Sequence, residues 1–228
     1  MQSFVLIHGA GSDPWFWHLV EPELRRRGHD VVAPDLPCDD DAAGLREYAD
    51  AVLEAAGDRR GVVLVAQSLG GFTAPLVSER LDARLLVLLN AMVPRPGESP
   101  GDWWVNTGWD GTVPETEEAL RDVFFHDVPP DVTAAAMTRG RPQSGTPFEA
   151  PWPLERWPDV PVRALVARGD RFFPASFQRR VLKERLGLEP DEIDGGHLVA
   201  LSRPAEIAAR LCAYASNASP RRDSAATS

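Results

Sequence analysis

Lysine is almost missing from this chain of 228 residues: Lys183 stands alone beside 23 arginines. With abundant Ala, Asp and Pro, that usage resembles GC-rich bacterial coding, a hint about origin and not about activity. Cysteine is scarce too, with only Cys38 and Cys212. Two thiols are too few for a secreted disulfide framework, and no C-x-x-C or Cys/His spacing suggests zinc, so both read as reduced thiols and no metal is expected. Positive charge is in deficit, with 24 basic residues against 34 acidic ones and a net charge of -10. Such a surface cannot neutralise phosphates, which excludes nucleic acid and an acidic membrane surface as partners. No apolar run approaches the roughly 18 residues of a membrane span. No basic leader precedes an apolar segment either, since Met1-Gln2-Ser3 runs directly into Phe4-Val5-Leu6-Ile7. The expected compartment is the cytoplasm.

What is present is the composition of a folded globular protein, 43% hydrophobic and 25% charged. Short β-branched and leucine-rich runs alternate with stretches of helical period, which predicts βαβ units around a sheet covered on both faces. Six strands are expected, at Phe4 to Ile7, Asp30 to Ala33, Val62 to Gln67, Leu85 to Asn90, Arg163 to Ala167 and Leu188 to Ile193. Helices are expected at Pro14 to Arg27, Ala42 to Ala56, Leu69 to Arg80, Ala175 to Leu186 and Pro204 to Tyr214. Gly28, Gly57 and Gly187 stand where left-handed caps would end three of them. The alternation breaks from 94 to 160, a stretch rich in Pro, Gly and Trp. This reads as an insert of a few short helices over the sheet's carboxyl edge, with Glu115 to Phe125 the best candidate. Residues 1–93 and 161–215 then form the core, and 216–228, nearly devoid of apolar residues, is expected to be a disordered tail.

The chemistry concentrates at Val62-Val63-Leu64-Val65-Ala66-Gln67-Ser68-Leu69-Gly70-Gly71, a buried strand, a serine between small residues, then a helix. This is the pattern of a nucleophile elbow, where the serine occupies a strained strand-to-helix turn and its neighbours must be small. Ala66 departs from the usual G-x-S-x-G by one methyl group. A serine hydroxyl needs a histidine base and an acid that orients it. In the order Ser, acid, His, the candidates are Ser68, Asp170 in the Gly169-Asp170 turn, and His197 in Asp194-Gly195-Gly196-His197. Asp191 and Asp194 are rival acids, and Asn90, at another strand end, cannot serve. An oxyanion forming under serine attack needs backbone donors, for which Leu69 and Ala10, in His8-Gly9-Ala10-Gly11, are the choices. His8 is expected to brace that loop, and His18 and His29 read as surface groups. Dinucleotide binding is not supported, because the glycine turn lacks G-x-G-x-x-G.

These motifs, together with Trp15-Phe16-Trp17 and Ala33-Pro34-Asp35-Leu36-Pro37, make the chain resemble the α/β-hydrolase superfamily, and within it the small methylesterase and hydroxynitrile lyase branch. The resemblance spans Phe4 to about Tyr214. It implies a mostly parallel six-stranded sheet with helices on both faces, starting at what that fold counts as its third strand, and a small helical cap over an apolar pocket. It also implies a small-molecule substrate, no cofactor, and hydrolysis of an ester or lactone. Lyases of that branch carry a lysine after the histidine, where this chain has Leu198, which disfavours cyanohydrin cleavage. A receptor-like protein that binds and turns over slowly is the alternative. Trp15, Trp17, Trp103, Trp104, Phe124, Phe125 and His126 are the candidates for the pocket wall. Oligomeric state is left open between monomer and homodimer.

Overall fold

The structure is a computed structural model and describes residues 1–218. Six parallel strands form one sheet: β1 (Ser3–Ile7), β2 (Asp30–Val32), β3 (Val63–Gln67), β4 (Leu85–Leu89), β5 (Val162–Ala167) and β6 (Asp191–Ile193), in the order β2-β1-β3-β4-β5-β6. Every residue of β3 and β4 is buried. Their apolar runs, up to Ala66 in β3 and throughout β4, follow from this, because a strand covered on both faces has no solvent side to alternate with. Successive residues of these strands still feed different cores. Val5, Ile7, Leu64, Ala66, Leu86 and Leu88 pack on one face. Phe4, Leu6, Val63, Val65, Leu85 and Val87 pack on the other.

Helices fill the connections: α1 (Val20–Arg26), α2 (Leu45–Ala56), α3 (Gly70–Val77), α4 (Pro100–Asn106), α5 (Glu117–Phe124), α6 (Pro130–Met137), α7 (Ala175–Leu186), α8 (Val199–Ser202) and α9 (Pro204–Asn217). In α2, Leu45, Tyr48, Ala49, Val52 and Ala56 are buried, a single stripe at helical period facing the first core. Helices α4 to α6 all lie within the stretch from 94 to 160, and α5 falls inside the expected Glu115 to Phe125.

The departures from expectation have local causes. The stretch Pro14 to Arg27 is not one helix but a 3-10 turn over Pro14–Trp17 followed by α1. Pro22 lacks the N–H that an interior position donates, and it stands in the first turn of α1, where no intrahelical bond is lost. The last strand begins at Asp191 rather than Leu188, since Pro190 cannot donate to a ladder. Gly187 has the left-handed geometry expected of a cap, φ 66° and ψ 19°, whereas Gly57 pairs φ 58° with ψ −130° and closes α2 by donating to Leu53 at 3.0 Å. Ser216 and Asn217, expected in the disordered tail, are helical. Arg84 explains the extension: its guanidinium donates to the Ala215 carbonyl at 3.2 Å and the Ala218 carbonyl at 2.7 Å, satisfying acceptors that a helix end leaves open. The remainder of the expected tail, 219–228, lies outside the described residues.

One buried ion pair ties the 94–160 stretch to the core. Arg185 of α7 meets Glu98 with side chains only 2% and 4% exposed, and Arg185 also donates to the Val93 carbonyl at 2.5 Å. Glu98 accepts in addition from Asn106 at 3.0 Å and from the Arg95 N–H at 3.2 Å. Removing one member strands the other charge without water, so Glu98→Ala is expected to lower stability by about 3–5 kcal/mol. Chemical denaturation would measure this, and a loss below about 1 kcal/mol would show that Arg185 finds another partner.

Candidate active site

Ser68 stands between β3 and α3 with φ at 52°, a left-handed conformation that a non-glycine residue adopts at a cost. The turn is possible because the residues packed closest around it, Gly9, Gly70 and Gly71, carry no side chain. A Cβ on Gly71 would lie 1.9 Å from the Met92 carbonyl oxygen, and one on Gly70 would lie 3.1 Å from the carbonyls of Ile7 and His8. The turn after β1 presses against the same spot, since a Cβ on Gly9 would come within 2.8 Å of the Ser68 Cβ. Ala10 and Leu69, the two expected backbone donors, therefore border the serine and face the same cavity.

His8 is completely buried and spans this loop. Its Nδ1 lies 2.8 Å from the Gly9 carbonyl oxygen and its Nε2 accepts from the Leu36 N–H at 3.3 Å, so a neutral ring protonated on Nδ1 serves both contacts. Burial pushes its pKa below the ordinary histidine value, in keeping with that neutral form.

His197 and Asp170 meet across the ends of β5 and β6. His197 Nδ1 lies 2.8 Å from Asp170 Oδ2, and both side chains are almost fully buried. The carboxylate is held on every side. Its Oδ1 accepts from the Phe172 and Phe173 N–H groups, each at 2.8 Å, and Oδ2 also accepts from Gln178 at 3.2 Å. The rival acids are engaged elsewhere: Asp194 pairs with Arg168 at 2.6 Å on the exposed side, and Asp191 accepts from the Tyr214 hydroxyl at 2.6 Å.

The supporting roles of three residues around His197 and Asp170 were not read from sequence. Asn90, excluded as an acid, has φ 45° and donates through Nδ2 to the carbonyls of Gly196 and His197 at 3.2 and 3.1 Å, while its Oδ1 accepts from the Ala167 N–H at 2.8 Å. Asp127 accepts from the Gly196 N–H at 2.8 Å and the Ser202 hydroxyl at 2.6 Å. Gln178 bridges Asp170 to the Phe173 carbonyl, 2.7 Å away. Only Gln178 carried a signal, its place in the first turns of the helix that follows the acid.

Ser68 and His197 open onto one cavity of about 640 Å³ with mostly apolar walls. Trp15, Trp104, Phe124 and Phe125 line it as expected, but Trp17, Trp103 and His126 do not. Trp17 is fully buried in the core on the other face of the sheet. Trp103 is turned about 100° from Trp104 around α4 and donates its indole N–H to the Val93 carbonyl at 3.1 Å. His126 is exposed and sits 3.0 Å from the Gly169 carbonyl. In their place Phe172, Met92, Phe148, Met137 and Leu201 complete the wall. Phe172 also packs edge-on to the His197 ring at 5.3 Å.

A family model described as the alpha/beta hydrolase family matches residues 4–210. The chain belongs to that family. Methylesterase 3 of Arabidopsis thaliana is 31% identical over 56% of this chain, and the match spans about half of the relative, 52%. Norfluorocurarine synthase 1 of a Strychnos species is 25% identical over 90% of this chain and 91% of its own. Among solved structures, an extracellular alpha/beta-hydrolase from a Paenibacillus species superimposes with a TM-score of 0.80, at 21% identity, covering 94% of this chain and 99% of that one. Among the described residues, no group of three or more His, Cys, Asp or Glu is placed to hold a metal ion. No described helix is long and apolar enough to cross a membrane.

Proposed function

We propose that this hydrolase cleaves a carboxylic ester or lactone of a small apolar or aromatic substrate through an acyl-enzyme. The observation that carries the reading is the buried His197–Asp170 contact of 2.8 Å beside a serine in a strained turn, both open to one apolar cavity. In this reading Ser68 Oγ attacks the carbonyl carbon while its proton passes to His197 Nε2, and the carbonyl π pair moves to oxygen. Asp170 holds the Nδ1–H tautomer and stabilises the imidazolium. The N–H groups of Ala10 and Leu69 receive the oxyanion. Collapse expels the alcohol, protonated by His197, and water then repeats the sequence to release the acid.

The cavity volume falls within the range of small-molecule sites, about 300–1,000 Å³. The stretch from 94 to 160 acts in this proposal as a cap that supplies much of the apolar wall. The two arginines at the wall are already neutralised, Arg139 by Asp13 at 3.1 Å and Arg141 by Asp35 and Asp39 at 2.5 and 2.6 Å, which favours an uncharged substrate. Cyanohydrin cleavage is disfavoured because Leu198 borders the cavity, while the lone Lys183 pairs with Glu189 at 2.8 Å on α7.

A panel of p-nitrophenyl esters, methyl esters and lactones of increasing acyl size tests the proposal. Many turnovers on uncharged aromatic or apolar members are expected, with weaker activity on acyl groups bearing a carboxylate. A single stoichiometric burst would favour a binding protein of slow turnover, and no release from any member would overturn the hydrolase reading.

A further inference from the structure

We propose that Gln143 is a positioning residue for the oxyanion site, fixing the loop that carries Ala10 from a strap contributed by the 94–160 stretch. The inference rests on the ester-hydrolase reading above and assigns a part to a residue that lies 75 positions from Ser68 in sequence. Arg139, Gly140, Arg141 and Gln143 line the cavity. From there they grip the Gly11 residue on both sides. Gln143 Oε1 accepts from the Gly11 N–H at 2.9 Å, and the Arg141 N–H donates to the Gly11 carbonyl at 3.3 Å. Gly11 has φ 59°, and a Cβ there would lie 3.1 Å from the Arg141 carbonyl oxygen, so the strap and the loop are in close backbone apposition.

The Gln143 contact decides which N–H of the loop remains available. Two consecutive amides, those of Ala10 and Gly11, could in principle turn toward the cavity. The second is occupied by Gln143, which holds the Ala10–Gly11 peptide plane and leaves the Ala10 N–H for the oxyanion. Gln143 is itself fixed, because its Nε2 donates to the Ser144 carbonyl at 2.9 Å and to the Tyr48 hydroxyl oxygen at 3.1 Å. The strap is also anchored by charge to the loops after β1 and β2, through Arg139 with Asp13 and Arg141 with Asp35 and Asp39. A backbone donor works in an oxyanion site only if it does not reorganise as charge develops: the Gly9 carbonyl of the peptide that carries the Ala10 N–H lies 2.8 Å from His8 Nδ1, and the strap fixes the two peptide planes that follow.

The test compares wild type with Gln143→Met, which keeps the side-chain length and removes the acceptor, and with Gln143→Glu, which keeps an oxygen for the Gly11 N–H. An aryl trifluoromethyl ketone serves as probe: Ser68 Oγ bonds to its carbonyl carbon, the C=O π pair becomes an oxyanion, and the serine proton moves to His197. In Gln143→Met, kcat for the best ester is expected to fall roughly 10- to 100-fold with KM within about twofold, and ketone affinity to fall in parallel. Gln143→Glu should lie between that variant and wild type, and melting temperatures should place all three as folded. Ketone affinity unchanged in both variants, or a loss carried by KM alone, would overturn the assignment. A wild type that neither hydrolyses esters nor binds the ketone would instead overturn the hydrolase reading, and this inference with it.

Discussion

Replacing Ser68 with alanine is expected to abolish ester turnover, with a loss of roughly 10⁴ to 10⁶ in kcat, while leaving the protein folded. The size follows from the proposed role, since without Oγ no acyl-enzyme can form and His197 has no proton to take. The intact fold follows from geometry. Alanine occupies the same left-handed turn with one atom fewer, and the close contacts of the elbow are made by Gly9, Gly70 and Gly71, which are untouched. Steady-state kinetics on the best ester of the panel, with a thermal melt of the same preparation, checks both halves. A purified, folded variant that keeps more than a tenth of the activity would remove Ser68 as the nucleophile.

Asp170→Asn is expected to cost about 10³ to 10⁴ in kcat, the second-largest effect. The amide oxygen can still accept from the Phe172 and Phe173 N–H groups, so the amide nitrogen is turned toward His197 Nδ1 and Gln178, each of which donates to Asp170 in the wild type. Two donors then face the new N–H group. The imidazole can relieve the clash only by moving its proton to Nε2, the nitrogen that must accept from serine. Asp194→Asn is the comparison. Its carboxylate is 71% exposed and paired with Arg168, so a change of less than about threefold is expected. A reversed ranking of the two variants would transfer the orienting role to Asp194.

Where local pattern was sufficient, sequence and structure agree closely. The strands β3, apolar up to Ala66, and β4, apolar throughout, announce themselves because they are covered on both sides. The elbow is equally legible, since the glycines after Ser68 answer a steric demand that acts within a few residues. The misreadings fall where a distant contact or a single proline overrides the period. Pro22 stands in the first turn of α1 and Pro190 just before β6, and both were visible as residues. The extension of α9 was not visible, because it depends on Arg84, more than 130 residues away along the chain.

The aromatic residues make the same distinction. Seven tryptophans and nine phenylalanines are too many to assign by type, and neighbours such as Trp103 and Trp104, whose rings meet edge-on at 5.2 Å, still differ in place, one donating to the buried Val93 carbonyl and the other at the cavity wall. Helical period says that the two cannot face the same way. Only the packing of α4 against the core says which of them faces in.

The sequence by itself determined the buried strands, the strained serine turn and the small residues that the turn requires, because each is set by backbone conformation or hydrophobic period over a short span. The tertiary structure brought Asp170, the acid preferred from sequence, against His197 and turned Asp191 and Asp194 to other partners, and it alone decided that Asn90, Asp127 and Gln178 hold the His197 and Asp170 loops and that Gln143 reaches Gly11. Those are contacts between segments brought together only when the sheet forms, and their partners are chosen by loop paths and by burial that leaves each polar group in need of a mate.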